Sequence, residues 1–183
     1  DISRLFSYGF RAKDQENVAS ILTHCGTGWT TAQGSLIQVI ADLWPNKTPG
    51  EIFFEWQNQT IDKFIDSNEN KVIVNGHSLG GSLSYLTAMA RPDRVKKAIC
   101  LVPPGMAYDY EANHPLFGAY EATLQEERPI VIIQKQTYDP ISKCGVFKND
   151  FLLAKVNIKN ESKTSNKAIR LLKSHDRNLY ASD

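Results

Sequence analysis

The sequence predicts an α/β fold, a mainly parallel sheet covered by helices on both faces. Apolar runs of strand length recur along the chain at residues 17–25 (NVASILTHC), 72–74 (VIV), 97–102 (KAICLV) and 129–134 (PIVIIQ). Segments with apolar residues near helical spacing alternate with them. The third observation is a strand, a Gly-x-Ser-x-Gly turn and a helix read without interruption across residues 71–90 (KVIVNGHSLGGSLSYLTAMA). Alternation of this kind pairs strands in parallel through helical crossovers.

In chain order, residues 4–10 (RLFSYGF) alternate weakly, as an outer strand does. Residues 17–25 read as a core strand that stops at Gly26-Thr27-Gly28. Residues 30–44 carry Leu36, Ile37, Val39, Ile40, Leu43 and Trp44 close to helical spacing and are closed by Pro45. Pro49-Gly50 marks a turn, and residues 54–68 read as an amphipathic helix through Ile61, Phe64 and Ile65. After the Gly-x-Ser-x-Gly turn, Leu83, Leu86, Thr87 and Ala90 outline a helix. The strand at 97–102 ends at Pro103-Pro104-Gly105, and residues 107–125 are irregular and rich in aromatics. The strand at 129–134 is broken by Tyr138-Asp139-Pro140. A hairpin-like stretch, 145–159, precedes a helix at 165–173 through Ala168, Ile169, Leu171 and Leu172.

With 183 residues, 42% of them hydrophobic and 22% charged, residues 1–183 make one domain with a sizeable core. No repeat or low-complexity linker interrupts it. A formal net charge of +1 gives no case for a nucleic-acid partner. No apolar run reaches the length of a membrane span, and no signal-peptide pattern opens the chain, so a soluble protein is expected. The start at Asp1 without Met suggests a processed product or a domain excised from a longer chain. Cys25, Cys100 and Cys144 are odd in number and read as free thiols rather than a disulfide framework. They show no metal-ligand spacing, and neither metal nor organic cofactor is expected. Three Asn-x-Ser/Thr sequons (Asn46, Asn58, Asn160) matter only in a glycosylating pathway.

The Gly76-His77-Ser78-Leu79-Gly80 turn carries the chemistry. A strand that enters a helix through so tight a turn needs small residues two before and two after the serine, hence Gly76 and Gly80. The turn sets the Ser78 hydroxyl above the helix N-terminus, where free N–H groups and the helix dipole favour developing negative charge. A serine becomes a nucleophile when a base takes its proton and an acid orients the base. Where such an elbow occurs, the partners follow in the order serine, acid, histidine. Asp139, just beyond a strand, fits the acid, and His175, in a late loop, fits the base. Asp109 follows its strand by several residues of loop. His114 precedes Asp139, His24 lies inside a strand, and His77 adjoins the serine and points away from it. For an oxyanion hole, the Leu79 N–H comes with the elbow, and the second donor falls in the Cys25-Gly26-Thr27-Gly28 turn.

On these residues the chain resembles the class 3 lipase family, α/β-hydrolases that include fungal triacylglycerol lipases and plant plastid phospholipases. The resemblance centres on NKVIVNGHSLGGSLSYLTAMA. In order, ILTHCGTG is similar to the family's strand ending in Phe-Arg-Gly-Thr, which implies an oxyanion role for Thr27. KAICLVPPG is similar to a strand ending in a Gly-x-Pro turn. TYDPIS is similar to the Asp-Pro-Val-Pro segment of the catalytic aspartate, which implies Asp139. SHDRNLY is similar to the terminal His-x-x-x-Tyr region, which implies His175. The family's Arg is Cys25 here, and Pro103-Pro104 stands at its first turn after the third strand. Residues 30–44 occupy the place of a lid or of a core helix.

The resemblance implies a serine esterase of the lipase or phospholipase type acting on lipid or acyl-ester substrates, with transient membrane-surface contact. Seven basic residues between Lys155 and Arg177 surround His175, against acidic Glu161 and Asp176, and suit an anionic surface or a solvated face alike. The alternatives are a thioesterase or esterase of small soluble acyl substrates, and a hydrolase-fold interaction module without activity.

Overall fold

The computed structural model describes residues 7–14, 18–26, 48–107, 115–137 and 139–156. Six strands form one sheet in chain order: β1 (Ser7–Phe10), β2 (Ile21–His24), β3 (Val72–His77), β4 (Val95–Leu101), β5 (Ile130–Gln136) and β6 (Leu152–Val156). β1 pairs antiparallel with β2, and β2 through β6 are all parallel. The crossovers carry helices α1 (Pro49–Asp66), α2 (Leu79–Ala90) and α3 (Pro115–Ala122).

When parallel strands follow one another in chain order, right-handed crossovers place every helix on the same face. The burial pattern agrees. Val72 and Val74, Ala98 and Cys100, and Val131 and Ile133 are buried, while Ile73, Ile99 and Ile132 between them are half-exposed. α2 packs on β2, β3 and β4, with α1 and α3 against its flanks. Phe64 of α1 lies against Gly9 of β1, where an added Cβ would stand 2.2 Å from the Phe64 ring. The described helices therefore cover one face. Residues 30–44 and 165–173, where two further helices are expected, lie outside the described residues.

Several expectations are corrected. Pro49-Gly50 opens α1 instead of forming a separate turn, because proline costs nothing at a first helical position whose N–H has no partner. The Glu51 carboxylate accepts the Thr48 N–H at 2.7 Å, which fixes that start five residues before the first predicted helical position. The irregular stretch 107–125 contains α3. Over the described residues 145–156 the expected hairpin does not form: β6 joins β5 in parallel, and Val146 makes an isolated antiparallel bridge to Met106 instead. The strand at 17–25 shortens to β2, while the two predicted at 97–102 and 129–134 are seven residues each.

Candidate active site

β3 delivers the chain to Ser78 at the carboxyl edge of the sheet, and α2 begins at the next residue. Ser78 holds φ 56° and ψ −124°, a left-handed conformation that costs a side-chain-bearing residue about 1–3 kcal/mol. Three hydrogen bonds impose it. The Ser78 N–H donates to Leu101 O at 2.9 Å, and Ser78 O accepts from the N–H groups of Gly81 (2.9 Å) and Ser82 (3.2 Å). The glycines around it have no alternative. A Cβ on Gly76 would lie 2.3 Å from the carbonyl of Gly80, and one on Gly80 would lie 2.2 Å from His24 O. Backbone cannot yield there as a flexible side chain can. Ser78 is 8% exposed, and its hydroxyl does not cap α2. The hydroxyl therefore stands at the helix N-terminus, beside a Leu79 N–H that has no acceptor within the helix.

The turn after β2 presses on the same point. A Cβ on Gly26 would lie 2.8 Å from His77 O and 3.6 Å from Ser78 Cβ. Thr27, the next residue, lies outside the described residues.

Asp139 follows β5 and has no exposed surface. Its Oδ1 accepts the Ile141 N–H at 2.9 Å, its own N–H donates to Gln136 O at 3.2 Å, and Ser142 Oγ lies 3.2 Å from its carbonyl oxygen. The short helical turn Ile141–Lys143 thereby holds the carboxylate at the carboxyl edge. β4 separates β5 from β3, so Asp139 and Ser78 stand at strand ends two spacings apart, roughly 10 Å. Burial, with the Asp139 charge adding to it, pushes the nearby Cys144 thiol up. Cys25, Cys100 and Cys144 form no disulfide with one another. His175, Asp109 and His114 lie outside the described residues.

His24 is a core residue. Ser7 Oγ lies 2.6 Å from its Nδ1 and Thr87 Oγ1 lies 3.3 Å from its Nε2. Because Thr87 Oγ1 donates its own proton to Leu83 O at 2.7 Å, it accepts from Nε2–H, and Nδ1 accepts from Ser7. Both nitrogens of the neutral ring are thus used, and burial drives the pKa from 6.5 to about 3.

Two features escaped the sequence reading. Val102, one residue past β4, holds φ 42° and is fully buried, and its N–H donates to Gln134 O at 2.7 Å. Nothing in a Val-Pro-Pro sequence signals a left-handed valine. Glu51 is also fully buried, and the Thr48-x-x-Glu51 spacing of a capping box would have located it.

Among the described residues, no helix is long and apolar enough to cross a membrane. No protein-family model matches the chain, and no curated protein matches it.

The close packing predicts that Gly80→Ala lowers the unfolding free energy by about 3 kcal/mol or more, since the new methyl meets backbone. Gly118→Ala in α3, with open space around the site, should instead stabilise by about 0.5–1 kcal/mol. Equal effects in urea titrations of the two variants would refute the clash.

His24 also sets a pH dependence. Its folded pKa lies below its unfolded one, so its contribution is complete above pH 6.5 and is lost as pH falls toward about 3. Between pH 6 and 4 the wild type should lose about 1.4 kcal/mol per pH unit more than a His24→Gln variant. Parallel stability curves would contradict this.

Proposed function

We propose that the chain is a serine esterase of the lipase or phospholipase type on an α/β-hydrolase fold, hydrolysing carboxylic esters of lipids through an acyl-enzyme on Ser78. The observation that carries the reading is the strained Ser78 backbone, wedged between Gly76 and Gly80 at a strand-to-helix turn. Such strain clusters at functional sites, and here, unlike at Val102, it falls on the serine of a Gly-x-Ser-x-Gly strand-to-helix turn. Asp139 supports the reading, as a fully buried carboxylate just beyond the carboxyl end of β5, two strands from β3 in the same sheet.

In this mechanism His175 takes the Ser78 proton as Oγ attacks the ester carbonyl, and Asp139 orients the imidazole and stabilises its charged form. The N–H groups of Leu79 and Thr27 receive the oxyanion. The alcohol leaves with the proton from His175, and water activated by His175 then releases the acid. No metal or organic cofactor enters. A lipid substrate follows from the class 3 lipase resemblance, and its acyl chain gains about 0.8 kcal/mol for each methylene that an apolar groove buries.

Ser78→Ala should reduce hydrolysis of a short-chain nitrophenyl ester by about 10⁴-fold or more, since triad members act as a unit, with the circular dichroism spectrum unchanged. Asp139→Asn should be severe and Asp109→Asn mild. Turnover retained in folded Ser78→Ala would refute the mechanism. A higher kcat/KM on the soluble ester than on phospholipid vesicles would refute the lipid assignment alone.

A further inference from the structure

Among the described residues three cations lie over aromatic rings, and one of them has no counter-charge. Arg128 lies 4.8 Å and Lys148 5.8 Å from the centre of the Tyr120 ring. Both are neutralised. Arg128 pairs with Glu121 at 3.1 Å and with Asp150 at 3.0 Å, and Lys148 pairs with Glu121. Lys135 lies closer to its ring, with Nζ 4.2 Å from the centre of Phe147, and among the described residues no carboxylate pairs with it.

What faces Lys135 is a second cation. In the register of β5 with β6 its partner is Lys155. Paired residues of neighbouring strands point to the same face, and the strands stand about 4.8 Å apart, so the two side chains project side by side. Phe147 packs edge-on against Tyr85 of α2, with ring centres 5.9 Å apart, which places the pair on the helix-covered face. Lys135 is half-buried, whereas Lys155, on the last strand of the sheet, is exposed and leaves the pair open to solvent. Burial first, and then the charge of Lys155, hold the Lys135 ammonium below the usual lysine range. A half-buried cation beside a like charge is destabilised until an anion joins it.

We propose that Lys135 and Lys155 form a binding site for a phosphate dianion, two strands away from the strand that carries Ser78. The doubled charge selects the ligand. A dianion neutralises both lysines at once, whereas a carboxylate neutralises one. A phosphate group also offers separate oxygens to two ammonium donors set one strand spacing apart. Phe147 adds preorganisation, because a lysine already held against a ring has less rotamer freedom to lose on binding. The same chemistry comes from a soluble phosphate or from a phosphomonoester lipid headgroup. Neither lysine takes part in the proposed ester hydrolysis, so the site stands or falls apart from it.

The test titrates inorganic phosphate into wild type, Lys135→Met, Lys155→Met and Lys96→Met at constant ionic strength. It records the heat of binding and the lysine Cε signals. Methionine keeps an unbranched stem and its sulfur suits the Phe147 ring, so Lys135→Met retains the packing. Lys96, exposed near the amino end of β4, controls for net charge. Wild type should saturate with phosphate in the millimolar range, the Lys135 and Lys155 signals moving together. Each substitution in the pair should weaken binding by about tenfold or more, the scale of one hydrogen bond to a charged group, and Lys96→Met by less than about twofold. Acetate should bind about tenfold more weakly than phosphate or worse. A second arm compares glycerol phosphate with dihexanoyl phosphatidic acid below its micelle concentration. Equal affinity assigns the site to a soluble phosphate, and tighter binding of the lipid assigns it to a headgroup. Binding that does not saturate, that moves neither lysine signal, that acetate matches, or that Lys96→Met weakens as much as Lys135→Met would overturn the site.

Discussion

Where β2, β3 and α2 meet, backbone packs directly on backbone. The contact of Gly80 with the His24 carbonyl, and of Gly76 with Gly80, leaves no room for any side chain. That approach draws α2 down onto the sheet and fixes the separation of β2 from β3 at their carboxyl ends. It also forces the intervening Ser78 into its left-handed conformation. Ser78 is therefore presented by packing, not by its own preferences. The strain of about 1–3 kcal/mol is offset by the core that the same approach allows α2 to bury.

The consequences run along α2. Its residues from Leu79 to Met89 are buried, so the helix has no polar face to solvent. Its hydroxyl side chains must then be satisfied internally. Ser84 donates to Gly80 O at 2.8 Å, Thr87 to Leu83 O at 2.7 Å, and Ser82 to Pro104 O. His24 extends the same logic sideways, as its ring links Ser7 of β1 through β2 to Thr87 of α2. At the carboxyl edge the fully buried Asp139 and Glu51 carboxylates both accept backbone N–H groups of neighbouring turns. On the reading proposed above, Asp139 orients the catalytic base.

Much of this was legible in the sequence. The β3–Ser78–α2 unit was, because two glycines at fixed offsets from a serine admit few other geometries. The four central parallel strands were, because strands buried within a layered fold read as short β-branched runs. Asp139 was placed by its position after the β5 run. The α1 start was not read correctly, because Pro49-Gly50 looks like a turn unless Thr48 and Glu51 are taken together as a cap. The hairpin expected at 145–159 failed because local alternation says nothing about partner choice, and β5 offered a full parallel edge to β6. α3 was missed because its eight residues carry a glycine and short apolar runs without clear periodicity. The roles expected of Thr27 and His175, and of residues 30–44, fall outside the described residues and rest on sequence alone.

On the esterase reading proposed above, the packing at Gly76, Gly80 and His24 presents Ser78 to its base as the nucleophile. The most direct measurement is intact-mass analysis of the folded chain after exposure to a fluorophosphonate, followed by peptide mapping. The account predicts one adduct per chain, on Ser78, that does not form once the chain is unfolded in urea. No adduct on the folded chain, or one on a different residue, would contradict it.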